Sequence, residues 1–505
     1  MELDASQWPD GASLEADLCI IGAGPAGMVL AREFMGTGIK VLLLESGGVR
    51  PEEWPQTLNE GTVVGHSYAG LRPTRNRQVG GISPIWNTPV AGLKGAKYVP
   101  LDPWDFDRTP KLASGWPIRK ADLDPFYRRA QDACAIGPYL YDGADWADSH
   151  RVPLPLPERA LVTRVYQFGG RLPFTSTYPT LFGASPNIRV HHHATVCRLK
   201  PGPGGGRVEE GEIASPDGRR HRIRAATFVL AAGAIENPRL LQVSGLGNTM
   251  VGRCFMEHPR DHALTLIPAS PEIFSQAAFY DAHPAPDGTI VGGRLALSEH
   301  AVRELGFPNT SLTLLPRVRE ESPPTGMLGR LHQAIRALRS ARPRGGYGWS
   351  KQRDPFRYFD ALRILVNLEQ RPDPENRVVL GTDRDALGIP RPVLHWRWRN
   401  DEQEEVVRLR SFLASTLESA GLGKVTVDAS QGVDPNAHHH AGTTRMSSGS
   451  GDGVVDPDGR VHGVTNLYVA GASVFPTSGF ANPTLTLVAL AIRLADHLKA
   501  DAFPG

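Results

Sequence analysis

Cysteine is scarce: Cys19, Cys134, Cys197 and Cys254 are the four in 505 residues, and they lie far apart with no Cys-x-x-Cys pair. That spacing argues against a disulfide framework and a cysteine zinc site, and it fits a reducing compartment. No apolar run reaches the length that spans a bilayer, and the first residues lack a basic stretch followed by an apolar core. The expectation is a soluble cytoplasmic protein without membrane insertion. Excess charge is missing too. The 55 Lys and Arg face 53 Asp and Glu, a formal +2 that makes no global case for nucleic acid or an acidic partner. Internal repeats are also absent.

What the chain does carry begins at its start. Asp17-Leu-Cys-Ile-Ile21 is a short apolar run, followed by Gly22-Ala-Gly-Pro-Ala-Gly27 and a helical pattern over Met28 to Phe34. Strand, glycine turn and helix in that order form a dinucleotide fingerprint. Gly22 permits the turn, Gly24 lets backbone approach a pyrophosphate, Gly27 allows helix to pack on strand, and the helix N-terminus offers free N–H groups. Lys40 to Leu44 reads as the next parallel strand, and Glu45, eighteen residues after Gly27, stands where a ribose hydroxyl needs an acceptor. Taken alone, this unit would also suit a nicotinamide dehydrogenase.

At this length two domains are expected. Arg189 to Leu199 reads as a strand, and Thr227 to Gly233 as a buried strand ending in small residues before a helix from Ala234. These pieces lie far from Gly22, so the nucleotide domain is discontinuous. Its expected segments are 1–95, 186–262 and 432–505, with a substrate domain in 96–185 and 263–431. Asn376–Leu380 and Pro392–Trp398 read as sheet strands in the substrate domain. Met327 to Ala341 reads as a basic amphipathic helix, a lid or an oligomer contact sooner than a membrane anchor. The oligomeric state is not readable.

The chemistry concentrates near the C-terminus. Val464 to Ala470 reads as a strand running into Gly471-Ala-Ser473. Phe480-Ala-Asn-Pro-Thr484 then leads into an apolar helix to Leu498, with Pro483 suited to its first turn. That helix points its positive end at whatever Asn482 and Pro483 touch.

With these segments in place, the chain resembles the glucose-methanol-choline family of flavin oxidoreductases, in its pyranose oxidase-like and sugar dehydrogenase-like branch. The matching stretches are Gly22 to Gly27, Glu45, Val79 to Thr88, Ala194 to Leu199, Val229 to Leu241, Val251 to Pro259, His439 to Met446 and Gly471 to Thr486. The resemblance implies an α/β fold, with a discontinuous Rossmann-like FAD-binding domain and an α+β substrate domain built on an antiparallel sheet. The expected FAD contacts are Gly22, Gly24, Pro25, Ala26, Gly27, Glu45, Ser46, Gly80, Gly81, Ser83, Asn87, Thr88, Val196, Ala232, Gly233, Gly471, Ala472, Pro483 and Thr484.

In the His-x-x-Gly-Thr pattern the catalytic histidine falls on His439, with His440 or a structural role as the alternative. On extended backbone His438 and His440 point away from the face His439 takes. The family's second position falls on Asn482, which could instead cap the helix. The implied reaction takes the hydroxyl proton at His439 and passes hydride to flavin N5, with Asn482 bonding the alcohol oxygen. Three consecutive histidines in a strand do not converge on one ion, so no metal is expected at His438–His440 or at His191–His193. Pyranose oxidases carry a flavin-linking histidine where this chain has Ile85, so the FAD is expected to be non-covalent. The expected substrate is a sugar, glycoside or aminoglycoside, with oxygen or a quinone as acceptor; Asn367, Glu369, Gln370 and Arg371 could grip its hydroxyls, or serve the strand edge. The alternatives are a dehydrogenase of non-sugar alcohols using a quinone or protein acceptor, and a lyase of the same family, against which Asn482 argues.

Overall fold

A computed structural model describes residues 2–90, 92–107, 115–319, 331, 347–352 and 354–503. Its first sheet grows from the apolar run before Gly22. Leu18, Cys19, Ile20 and Ile21 are all buried in the strand Ser13–Ile21, as a strand covered on both faces requires. It pairs in parallel with Val41–Leu44 on one side and Arg220–Leu230 on the other. The sheet continues from Val41–Leu44 through Ile188–His192 to Glu2–Asp4, all parallel. Beyond Arg220–Leu230 come Leu467–Val469 in parallel and the antiparallel pair Val208–Ala214 and Thr195–Pro201.

The register positions the site. Ile21, Leu230 and Val469 are cross-strand neighbours, so the small-residue turns that follow each of them open side by side at the carboxyl ends of the strands. Such a crevice is where open α/β sheets take ligands. The helices Pro25–Glu33 and Thr484–Asp501 pack together beside it, and Lys120–Cys134 lies against the latter, with Tyr127 and Thr486 hydroxyls 2.8 Å apart.

A second, nine-stranded antiparallel sheet runs Gly423–Val427, Arg260–Pro268, Phe359–Leu368, Thr310–Val318, Ile290–Leu297, Leu161–Gly170, Leu93–Tyr98 and Thr88–Val90, with His283–Pro284 added to Ile290–Leu297. Alternation in Phe359–Leu368 sends Leu362, Ile364, Val366 and Leu368 into a core, while Leu365 and Asn367 face the cavity described below. No described helix is long and apolar enough to cross a membrane.

Several expectations change. Arg189–Leu199 is two strands, broken at His193, whose φ is 55°. Arg377–Arg384 and Pro390–Trp396 do not join the large sheet; they form a separate three-stranded sheet with Thr62–Gly65, because Val393 to Trp396 pair in parallel with that early segment. Thr88–Val90 belongs to the nine-stranded sheet, so the expected boundary at 95 cuts through its hairpin with Leu93–Tyr98. Lys120–Cys134, expected in the substrate domain, buries Leu123, Tyr127 and Ala130 in the core that holds the parallel sheet. Among the expected helix residues 327–341, only Leu331 is described, and it is exposed; the rest lie outside the described residues.

Candidate active site

The three turns converge on a cavity of about 770 Å³, within the range of sites that hold cofactors and substrates. Of the expected cofactor residues it is lined by Gly22, Gly24, Pro25, Ala26, Glu45, Ser46, Gly81, Asn87, Thr88, Val196, Ala232, Gly233, Gly471, Ala472, Pro483 and Thr484. Gly27, Gly80 and Ser83 stand behind the lining. Gly27 is packed against the Gly22 carbonyl, and the Ser83 hydroxyl donates to the Gly80 carbonyl at 2.8 Å, closing that loop.

The lining fits FAD on its own chemistry. Gly471, at φ 112°, has no atom nearer than Ala26 Cβ at 4.0 Å from where a Cβ would stand, so bare backbone is open to a ligand there. Glu45 is 6% exposed, and its carboxylate accepts from the backbone N–H of Ala23 at 3.0 Å and of Gly47 at 2.9 Å. These bonds hold the carboxylate at the cavity wall with lone pairs left for a ribose hydroxyl. Beside it Arg77 donates to the Ser46 hydroxyl at 2.8 Å.

Arg75 and Arg77 pair with Glu236 at 2.6 and 2.9 Å, and Arg239 joins Glu236 to Asp385. Burial alone would raise the Glu236 pKa, but Arg77, Arg239 and Arg75 hold it well below the usual range. Of this network Arg75, Arg77 and Glu236 line the cavity, beside Glu45. Sequence reading missed this group, because its members are separated by up to 310 positions and carry no motif. Ile85 also lines the cavity and is 48% exposed. With no nucleophilic side chain there, acid precipitation is expected to give a colourless pellet and a yellow supernatant; a yellow pellet would mean a covalent flavin.

At the other end of the cavity lie His439 and Asn482. The Asn482 amide Nδ2 is 3.0 Å from His439 Nε2, and His439 Nδ1 is 2.9 Å from His258 Nδ1. An amide NH2 only donates, so Nε2 of His439 is the acceptor and its Nδ1–H donates to His258. The proton pattern therefore leaves a bare Nε2 facing Asn482. Burial, followed by the fields of His258, Arg260 and Lys97, pushes the His439 pKa well below its ordinary value. Burial lowers His258 to about 4, so both rings stay neutral at pH 7. Asn482 makes no capping bond to the helix Thr484–Asp501; its side chain is committed to His439.

The neighbours of His439 differ from the alternating picture. His438 has φ 62° and is exposed, so the segment is not a simple strand. His440 turns to Tyr68, with Nε2 2.7 Å from the hydroxyl. Burial lowers the His440 pKa to about 3.

Behind all of these lies Glu257, 0% exposed, which sequence reading left without a role. Its carboxylate accepts from the Tyr68 hydroxyl at 2.5 Å and from the backbone N–H of His439 and His258 at 2.9 and 3.1 Å. One buried carboxyl thus fixes the backbone of both histidines, and burial raises its pKa to about 7. A Glu-His pair between Met256 and Pro259 is the signal that could have found it. Of the suggested substrate residues only Asn367 reaches the cavity. Glu369 accepts from the Asn309 and Gly479 backbone, Gln370 from the Glu257 N–H, and Arg371 pairs with Glu405. Lys97, Tyr166 and Arg260 line the cavity instead.

Family models described as GMC oxidoreductase match residues 184–260 and 372–491. The chain is 25% identical to the fructose dehydrogenase large subunit of Gluconobacter japonicus, over 98% of this chain and 99% of the relative. It is 24% identical to the paromamine 6'-oxidase of Streptomyces fradiae, over 96% and 91%. A solved formate oxidase shares the fold at a TM-score of 0.56, with 18% identity over 98% of this chain and 99% of that one.

Proposed function

We propose that this chain, which belongs to the GMC oxidoreductase family and binds FAD, oxidises a hydroxyl of a sugar, glycoside or aminoglycoside to a ketone or aldehyde, with His439 and Asn482 at the reacting group. The observation that carries this reading is the contact between His439 Nε2 and the Asn482 amide at 3.0 Å on the cavity wall. An alcohol group entering between them donates its O–H to Nε2 and accepts from the amide. As the proton moves to Nε2, the amide stabilises the charge growing on oxygen. FAD, when bound, supplies the acceptor for the hydride from the carbinol carbon. The His258 contact orients the His439 ring and the Glu257 bond holds its backbone, as a third group does for other catalytic bases. Oxygen or another acceptor then completes the turnover.

The test is anaerobic mixing of the purified protein with sugars, glycosides, aminoglycosides and simple alcohols while flavin absorbance is followed. Bleaching by the sugar-type compounds and not by simple alcohols is expected; the reverse pattern overturns the substrate assignment. Asn482→Ala is expected to slow bleaching about a hundredfold, the effect of losing one positioned donor.

The pH dependence follows from the lowered His439 pKa. Protonation removes the acceptor at Nε2, and the folded protein resists it down to well below pH 6.5. The bleaching rate is therefore expected to stay flat at and just below pH 6.5 and to fall only at more acid pH. An acid limb centred at or above 6.5 contradicts this assignment.

A further inference from the structure

Charge is balanced at one end of the cavity and unbalanced at the other. At the cofactor end Arg75 and Arg77 stand with Glu236 and Glu45. The reacting end is lined by Lys97 and Arg260, and among the described residues no carboxylate lines it or forms an ion pair with either cation. Both charges reach the base. After burial and the field of His258, it is Arg260 and then Lys97 that hold the His439 pKa down.

Arg260 opens the strand Arg260–Pro268, where its neighbour across the sheet is Asn367, also on the cavity wall. Its backbone exchanges two hydrogen bonds with Asp434, at 2.7 and 2.8 Å, which fixes it beside the segment leading to His439. The Asp434 carboxylate turns instead to the N–H and amide of Asn436. Glu257 is 0% exposed, and its oxygens are taken by Tyr68 and two backbone N–H groups. A second observation lies behind the wall. Arg294 is 0% exposed, and among the described residues it has no carboxylate partner and its Nε has no hydrogen-bond partner. Its guanidinium stands 5.4 Å from the centre of the Tyr166 ring and donates to the Tyr347 hydroxyl at 3.5 Å, and both tyrosines line the cavity. Lys97 lies 5.8 Å from the centre of the Tyr347 ring. Burial would raise the Tyr347 pKa, yet Lys97 and then Arg294 bring it below its ordinary value. Cations held in a protein without a counterion are costly, so these three call for an anion that arrives from outside.

We infer that the alcohol substrate carries an anionic group, a carboxylate or a phosphate, placed against Arg260, with Lys97 and Arg294 adding to the field. This rests on the reading of His439 and Asn482 as the site of alcohol oxidation and narrows it to acidic sugars and glycosides. A guanidinium offers such an anion two parallel N–H donors. The positive cleft concentrates anions and rejects a cationic aminoglycoside.

The test compares methyl glucuronide, glucose 6-phosphate, methyl glucoside and the 6-amino glucoside as anaerobic bleaching substrates of the FAD-loaded protein. At least one of the two anionic sugars is expected to exceed the glucoside about tenfold or more in kcat/KM, through KM, with the amino sugar slowest and the gap closing in high salt. The better of the two identifies the anion. Arg260→Met should cut the ratio of anionic to neutral substrate about tenfold, and Lys97→Met should cut it less. Calorimetric titration of the photoreduced protein, which cannot turn over, should give the same order in Kd and the same loss. Sugars that bleach, or bind, without preference for the anion overturn this inference and leave the alcohol-oxidation reading standing. Bleaching by simple alcohols alone overturns that reading. An equal loss for charged and neutral sugars in both variants assigns the cations to the flavin and overturns the inference as well.

Discussion

His439→Ala lowers the rate of substrate bleaching by about a thousandfold or more, within the range for loss of a positioned general base, while FAD stays bound. The magnitude follows from how much converges on one ring. Asn482 donates to its Nε2, His258 receives its Nδ1–H and Glu257 holds its backbone. Alanine keeps the backbone bond to Glu257 and removes the acceptor, so the loss should appear in the chemical step and leave the cofactor absorbance in place. The second neutral histidine, His258, bonds to His439 and not to Asn482, so it does not replace it. Near-normal bleaching in His439→Ala would remove His439 from the mechanism and shift attention to His440.

Gly27→Val abolishes FAD binding, and the purified protein is colourless. A Cβ at residue 27 would stand 2.0 Å from the Gly22 carbonyl oxygen, far inside contact distance and against backbone that cannot swing away. Relief requires the turn to lift off the strand, which moves the helix N-terminus away from the cavity. Gly24→Ala supplies the contrast. There the nearest atom to a new Cβ is Gly81 Cα at 3.9 Å, so the protein itself tolerates the methyl group and the cavity receives it. The expected result is a folded Gly24→Ala protein with weakened FAD affinity. Circular dichroism and cofactor absorbance separate the two cases; a yellow Gly27→Val protein contradicts the packing argument.

The parts of the site legible beforehand share one property: their chemistry sits in a short contiguous segment. Gly22 to Gly27 announce their turn because glycine spacing encodes backbone shape, and Glu45 follows at the end of the next strand. His439 and Asn482 were picked out by motif, and the structure brings them within 3.0 Å across forty-three positions. Other groups left no local trace. Tyr68, Glu257 and His440 meet through a buried carboxyl, and Arg75, Arg77, Arg239, Glu236 and Asp385 meet across three separate stretches of chain. Helical or strand periodicity reports one face of one element and says nothing about which other element arrives there.

The two histidine triplets show the limit most directly. Alternation along a strand predicts divergent side chains in both, yet His193 and His438 have left-handed backbone that periodicity cannot foresee. The sequence by itself determined the glycine turn, and its family resemblance pointed to His439, Asn482 and Ile85. Only the tertiary structure decided the tautomer of His439, the buried carboxyl that holds it, and the meeting of Asp4 with His192 and His193. Those outcomes depend on parallel register and on burial, which exist only once distant strands lie side by side.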